Sequence, residues 1–92
     1  MTSSATEDGR ALLGSAREIH AERHGAHTLA PGTRLPFPEA AERASIRPDR
    51  QRYYDALEEM EYEGDIEWVE SGRFARGDKH YVVTRRGLGG AG

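Results

Sequence analysis

Apolar residues recur at helical spacing near the start of the chain. Leu12, Ala16 and Ile19 fall at i, i+4 and i+7, which would place them on one face of a helix. We therefore predict a first helix over residues 10–24, ended by Gly25. The polar and acidic stretch before it, residues 1–9, is predicted to be a disordered tail.

Two further helices are predicted after a long connection over residues 25–37, in which residues 33–35 can form a short extended piece. The second helix is predicted over residues 38–44, because Pro38 suits the first turn of a helix. Its apolar residues are small and allow a close helix crossing: Ala40, Ala41 and Ala44.

A turn over residues 45–48 is expected next, since Pro48 disfavours helix at the residue before it. Asp49 is then a suitable N-cap for a third helix that runs to Glu63, and Gly64 provides the C-terminal stop. The apolar face of this helix is predicted to consist of Tyr53, Leu57 and Met60, with Tyr54 beside them.

The remaining pattern has the period of β-strands. Ile66 and Trp68 alternate with Glu67, residues 71–78 contain two glycines, and residues 80–84 are rich in β-branched and aromatic side chains. We predict an antiparallel hairpin that completes the core with the apolar face of Ile66, Trp68, Tyr81 and Val83. The glycine-rich residues 87–92 are predicted to be a flexible tail.

Composition narrows the class of protein. A chain of 92 residues is expected to form one small domain, and it contains no Cys, which excludes disulfides and thiolate metal sites. No apolar run approaches the roughly 20 residues needed to cross a bilayer, and the polar start does not resemble a secretory signal. We therefore predict a cytoplasmic location. The net charge of −3 argues against a uniformly basic nucleic-acid binder.

The charges are sorted by position along the second half of the chain. Basic residues cluster at residues 47–52, none occurs at residues 53–72, and basic residues return from Arg73 onward. The intervening stretch, here called the acidic band, spans residues 55–70. It contains eight carboxylates: Asp55, Glu58, Glu59, Glu61, Glu63, Asp65, Glu67 and Glu70.

Two local patterns resemble the winged helix-turn-helix superfamily. The first is Leu57-x-x-Met60-x-x-x-Gly64-x-Ile66, and the second runs from Tyr81 through Thr84 to Gly87. The second is similar to the segment that closes the wing in small bacterial transcriptional regulators of the multiple-antibiotic-resistance and phenolic-acid types. The resemblance implies an α+β fold, a three-helix winged helix-turn-helix with a C-terminal β-hairpin wing, over residues 10–86. The turn at residues 45–48 departs from the family by lacking its usual glycine.

The resemblance further implies binding of double-stranded DNA, by a transcriptional regulator or a mobile-element accessory factor. In this family the start of the third helix meets base edges, and the wing touches phosphates or the minor groove. The alternative is that these basic residues belong to solvated faces, with the helix arginines paired to nearby carboxylates. The expected DNA-binding residues are Arg47, Arg50, Gln51, Arg52, Tyr54, Arg73, Arg76 and Lys79.

The acidic band leaves a second function open. One interpretation is that the acidic band is a solvated outer face of the protein. The other is that it is a surface that binds a protein partner. The alternative function is therefore a winged-helix protein–protein interaction module that uses its acidic surface. A homodimer is also considered, with an interface on the first helix through Leu12, Leu13 or Ile19.

Catalysis and metal binding have little support in the sequence. His20 and His24 are spaced to face one ion, with His27 nearby, but a helical zinc-protease motif would need a glutamate directly after the first histidine. No nucleophile elbow or phosphate-binding glycine loop occurs. We therefore predict a non-enzyme without a metal or cofactor.

Overall fold

The computed structural model describes residues 4–71 and 78–89 of the chain. It shows an α+β domain in which three helices precede a two-stranded antiparallel sheet, which confirms the predicted helix-plus-hairpin order. Short 3₁₀ turns lie at Ala26–Thr28 and Arg86–Leu88. The main elements are α1 (Ser4–His24), α2 (Phe37–Arg43), α3 (Gln51–Glu63), β1 (Ile66–Ser71) and β2 (Asp78–Val83).

Helix α1 begins at Ser4, so the predicted tail is wrong over residues 4–9. The physical reason is a tertiary contact, since Asp8 and Gly9 are buried and α1 packs on α3. A Cβ added at Gly9 would lie 2.9 Å from the Cγ atom of Met60. The glycine therefore lets α1 approach α3 closely, and this packing stabilises a first turn whose polar sequence gives no sign of burial.

The core lies where α1 covers α2 and α3. The predicted stripe of α1 is confirmed, because Leu12, Ala16 and Ile19 are all buried. The predicted face of α3 is confirmed as well, with Tyr54 left exposed beside it. The other buried core residues come from the segments that follow α1: Leu35, Phe37, Ala40, Ala41, Ile46, Tyr53, Ala56, Leu57, Met60, Ile66 and Val83.

The turn between α2 and α3 works without a glycine. Ser45 adopts the left-handed conformation at φ 61°, and the backbone N–H of Ile46 donates to the carbonyl of Ala41 at 2.7 Å, which is the bond of a Schellman motif. Asp49 was predicted to be the N-cap of α3, and this prediction is wrong. That position belongs to Arg50, whose side chain forms no capping hydrogen bond.

The Thr84–Gly87 motif joins the end of β2 to the end of α3. Gly64 ends α3 in the left-handed conformation, and its carbonyl accepts a hydrogen bond from the Thr84 hydroxyl. Gly87 is buried against the backbone carbonyl of Asp65, where an added Cβ would collide. The prediction of a flexible tail is therefore wrong at residues 87–89, because these residues belong to the 3₁₀ turn that makes this contact or directly follow it.

The hairpin register places Ile66 opposite Val83 and Trp68 opposite Tyr81. The inner pair is buried as predicted, but Trp68 is 47% exposed, so the predicted apolar face continues beyond the core. The predicted extended piece at residues 33–35 is confirmed by a bridge between Arg34 and Val82. This bridge brings the connection alongside β2 and widens the sheet locally.

Candidate functional site

The start of α3 carries the residues predicted to read DNA. Arg47 lies in the preceding turn, and its Nε atom is 3.5 Å from the Oδ1 atom of Asp49. Gln51 donates from Nε2 to the Oδ1 atom of Asp55 at 2.9 Å. Within the described residues, the exposed side chain of Arg50 forms no hydrogen bond or ion pair. Of these groups, Arg50 therefore has the guanidinium most available to a ligand.

Arg52 is engaged elsewhere in the fold. Its guanidinium donates to both carboxylate oxygens of Asp8, with N–O distances of 2.7 and 2.8 Å. The Asp8 side chain is only 10% exposed, and the hydrogen bond from Arg52 holds the pKa of that carboxyl below its usual range. Arg52 thus links α3 to α1. This role could not be foreseen, because Asp8 lies in a segment that was predicted to be disordered.

The predicted hairpin contacts can be placed only in part. Arg73 and Arg76 lie outside the described residues, and for Lys79 the backbone alone is described, in β2 opposite Glu70. The spatial relation between these basic side chains and the start of α3 therefore stays a prediction. Tyr54, the remaining predicted contact, is 54% exposed on α3.

A groove of about 700 Å³ lies between α3, the start of α2 and the hairpin. The sequence patterns did not predict it, because its walls come from three segments that are distant along the chain. Among the described residues, its lining combines five aromatic side chains, two prolines, two leucines and four Arg, Glu or His side chains. These lining residues are Arg34, Leu35, Phe37, Pro38, Pro48, Tyr53, Tyr54, Leu57, Glu58, Glu61, Trp68, His80 and Tyr81.

The aromatic rings of the groove contact one another in two sets. Tyr81 packs edge-on against Phe37, with centroids 6.3 Å apart, and against Trp68, with centroids 4.6 Å apart. Tyr53 and Tyr54 form a second pair at 5.4 Å. Phe37 and Tyr53 are buried, whereas Trp68 and Tyr54 are about half exposed. The groove therefore has a buried aromatic base and two aromatic rings open to solvent.

The two sides of the groove differ in charge. Glu58 and Glu61 line it from α3, and both are exposed. Burial, followed by the negative charge of Glu61 and Glu58, raises the pKa of the Tyr81 phenol. Arg34 and His80 line the groove from the strand side, and each already interacts with other groups of the protein.

Several carboxylates of the acidic band have partners within the protein. Glu59 accepts a hydrogen bond from Thr6, Asp55 accepts one from Gln51, and Glu63 and Asp65 each lie 3.5 Å from the guanidinium of Arg86. Glu58 and Glu61 form no hydrogen bond or ion pair with any described residue. The carboxylates left without a partner on α3 are thus the two that line the groove.

The histidines of α1 have a local role. The rings of His20 and His24 contact each other at a tilt of 46°, with centroids 4.8 Å apart, and His20 Nε2 lies 2.8 Å from the Thr28 hydroxyl, beside the end of the helix. Burial, and then the nearby His24, lowers the pKa of His20. Across residues 4–71 and 78–89, no group of three or more His, Asp or Glu side chains is arranged to hold a metal ion.

The residues predicted to form a dimer interface are mostly inside the protomer. Leu12 and Ile19 are buried in its own core, and Leu13 is partly buried against it. The two buried side chains cannot contact a second copy without unfolding α1, because the stripe that the sequence shows is the one that covers α2 and α3.

No protein-family model, curated protein sequence or solved structure matches the chain. In the described part of the chain, none of the helices has the length and apolar character needed to span a membrane.

Proposed function

We propose that this domain is a protein-interaction module and that the groove between α3 and the hairpin is its docking surface. The observation that carries the proposal is the exposure of Trp68 and Tyr54 at an aromatic groove whose α3 side holds two unpaired carboxylates. The order of elements supports assignment to the winged helix-turn-helix superfamily, whose members include protein-docking domains as well as DNA binders.

Exposed aromatic side chains favour a binding role for the groove. Trp and Tyr are the residues most often found at the energetic centre of protein interfaces. A large apolar ring left half in water gains free energy when a partner covers it, at about 25 cal/mol for each Å² of apolar surface. Trp68 and Tyr54 therefore offer a partner more stabilisation than an ordinary charged surface does.

A second candidate function is binding of duplex DNA through the start of α3. The observation that favours it is the unpaired guanidinium of Arg50 beside Arg47, at a helix N-terminus, where the backbone N–H groups also attract phosphate. The rest of α3 opposes this mode, because no Lys or Arg follows Arg52 in the helix while Asp55, Glu58 and Glu61 are exposed. A phosphate backbone laid along α3 would meet these carboxylates.

Selection of peptides from a displayed random library tests the docking surface directly. We expect selection on the wild-type domain to yield peptides whose binding is lost in Trp68→Ala, since the substitution removes the exposed ring of the groove. The matched control is Tyr62→Ala, which removes an aromatic ring that is 86% exposed on α3 but does not line the groove.

The control variant should bind the selected peptides as the wild type does. Failure to enrich any peptide, or equal binding by the wild type and Trp68→Ala, would show that the groove is not a docking surface.

A further inference from the structure

We propose that the groove receives a lysine or arginine side chain from an extended segment of the partner. The cation would sit between the carboxylates of Glu58 and Glu61 and the rings of Tyr81 and Trp68. This inference rests on the proposed docking function and adds the chemistry of the partner.

The carboxylates supply the negative charge. Glu58 and Glu61 are three positions apart on α3, so they project from neighbouring positions of one helix face. Both line the groove together with Tyr81, and after burial their negative charge contributes to the raised pKa of the Tyr81 phenol. Two like charges at this spacing repel each other, and neither is neutralised by any described residue. A bound cation would relieve that repulsion.

The aromatic rings supply a second kind of attraction. Trp68 and Tyr81 pack at an interplanar angle of 62°, so they present ring surfaces in two directions rather than one stacked face. A Lys or Arg head group within about 6 Å of such a ring is attracted by the negative charge of the ring face. The exposed half of Trp68 is therefore a surface that suits a cation and its apolar stem.

The basic side chains on the strand side of the groove favour a position for the cation on the α3 side. Arg34 and His80 line the groove from the strand side, and both already have interactions within the protein. Their presence makes the groove polar from one wall to the other. The guanidinium of Arg34 repels a Lys or Arg side chain of the peptide, so that side chain is directed to the carboxylates of α3.

Two prolines favour an extended occupant. Pro38 and Pro48 line the groove with rings that carry no backbone N–H donor, so these positions offer flat apolar contact in place of hydrogen bonds. The aromatic rings make the groove similar, in chemistry, to the aromatic-lined grooves that bind extended peptides. A phosphate group is disfavoured in the same place, because it would approach Glu58 and Glu61.

A set of blocked pentapeptides tests the cation site. The probes are acetyl-Ser-Gly-Lys-Gly-Ser-amide and its arginine and norleucine counterparts, and the readout is the NMR signal of the Trp68 indole N–H. Because the chain has one Trp, the signal is assigned without ambiguity. We expect the lysine and arginine peptides to shift it saturably and the norleucine peptide to leave it unmoved.

The charge requirement is tested with a matched pair of double variants. Glu58→Gln/Glu61→Gln keeps the shape of both side chains and should weaken lysine-peptide binding about tenfold, the change expected from losing a favourable charge contact. The control, Glu7→Gln/Glu67→Gln, removes the same charge from two exposed residues that do not line the groove. The control should bind the lysine peptide within about twofold of the wild type.

Equal shifts by the lysine and norleucine peptides would overturn the cation site, as would equal weakening in the two double variants. If library selection still yields Trp68-dependent peptides without Lys or Arg, the cation site is wrong and the docking function stands. If no peptide depends on Trp68, both proposals fall together.

Discussion

At the scale of single residues, the pair of Asp8 and Arg52 shows how the fold uses charges that the sequence suggested were free. The two side chains are 44 positions apart and form two hydrogen bonds. Arg52 remains 62% exposed, while Asp8 is almost entirely covered. The arginine therefore compensates a buried carboxylate at the crossing of α1 and α3, and is less available to an external phosphate.

Replacement of Asp8 by Asn should lower the urea midpoint of unfolding at neutral pH, because Arg52 loses its partner. The folded state holds the pKa of Asp8 below its ordinary value of 3.8, so the stabilisation by the carboxylate is present above that value and is lost as the pH falls through the folded pKa. The difference between wild type and variant should therefore shrink below about pH 4.

The control for this prediction is Glu7→Gln, which removes a neighbouring exposed carboxylate from the first turn of α1. It accounts for any loss of attraction between the carboxylate and the helix dipole. An equal effect of the two substitutions, or a wild-type advantage over Asp8→Asn that persists unchanged into strong acid, would rule out the proposed role of the pair.

At the scale of elements, the connection between α3 and β2 gives the Thr84–Gly87 motif a physical role. The Thr84 hydroxyl donates to the carbonyl of Gly64, which follows α3, and accepts the backbone N–H of Gly87 at 3.1 Å, while the backbone N–H of Thr84 donates to the Asp65 carbonyl at 3.1 Å. These bonds tie the end of β2 to the start of β1. They fix the angle at which the hairpin leaves α3 and so shape the groove.

Replacement of Gly87 by Ala should lower the free energy of unfolding by about 2 kcal/mol or more, because the added methyl meets a backbone carbonyl that cannot move alone. Gly14→Ala is the matched control, since a Cβ there contacts nothing within 4 Å. That substitution lies within α1, so it should be neutral or stabilise by up to about 1 kcal/mol. Urea unfolding of both variants measures the difference, and an unchanged midpoint for Gly87→Ala would contradict the assigned contact.

Periodicity predicted most of these elements, because burial imposes a repeat on the sequence. The stripe of Leu12, Ala16 and Ile19 and the glycine stop at Gly64 are local signals, and both are confirmed. The first turn of α1 was missed, since its order comes from packing on α3. Asp49 was wrongly chosen as the N-cap because its side-chain chemistry suits that position, while the turn places it one residue too early and beside Arg47.

The candidate site was less accessible to sequence reasoning for a related reason. Trp68 was assigned to the core from strand alternation, but the core ends at Ile66 and Val83, and the hairpin continues past it. No local pattern reports where a core ends. The helical spacing of Glu58 and Glu61 was visible in the sequence, but their position near an exposed Trp68 depends on how the hairpin lies against α3.

At the scale of the whole molecule, the two proposed functions use adjoining surfaces. The groove lies between α3, the start of α2 and the hairpin and reaches the turn before α3 at Pro48, whereas the second candidate uses Arg47 and Arg50 in that turn. The exposed carboxylates of α3 distinguish the two functions, because they favour a cationic partner over a nucleic acid. The net charge of −3 acts in the same direction. A protein ligand that carries Lys or Arg fits the charge distribution better than duplex DNA.

The most direct test of the docking surface is an NMR titration of the isotope-labelled domain with a library-selected peptide and, separately, with a mixed-sequence DNA duplex at low salt. We expect a saturable shift of the Trp68 indole N–H with the peptide, with the backbone N–H signals of Arg50 and Gln51 unmoved. We expect no saturable shift with the duplex. The contrary result is a saturable duplex shift at Arg50 and Gln51 that Arg47→Ala/Arg50→Ala abolishes, with the Trp68 signal unmoved by any selected peptide.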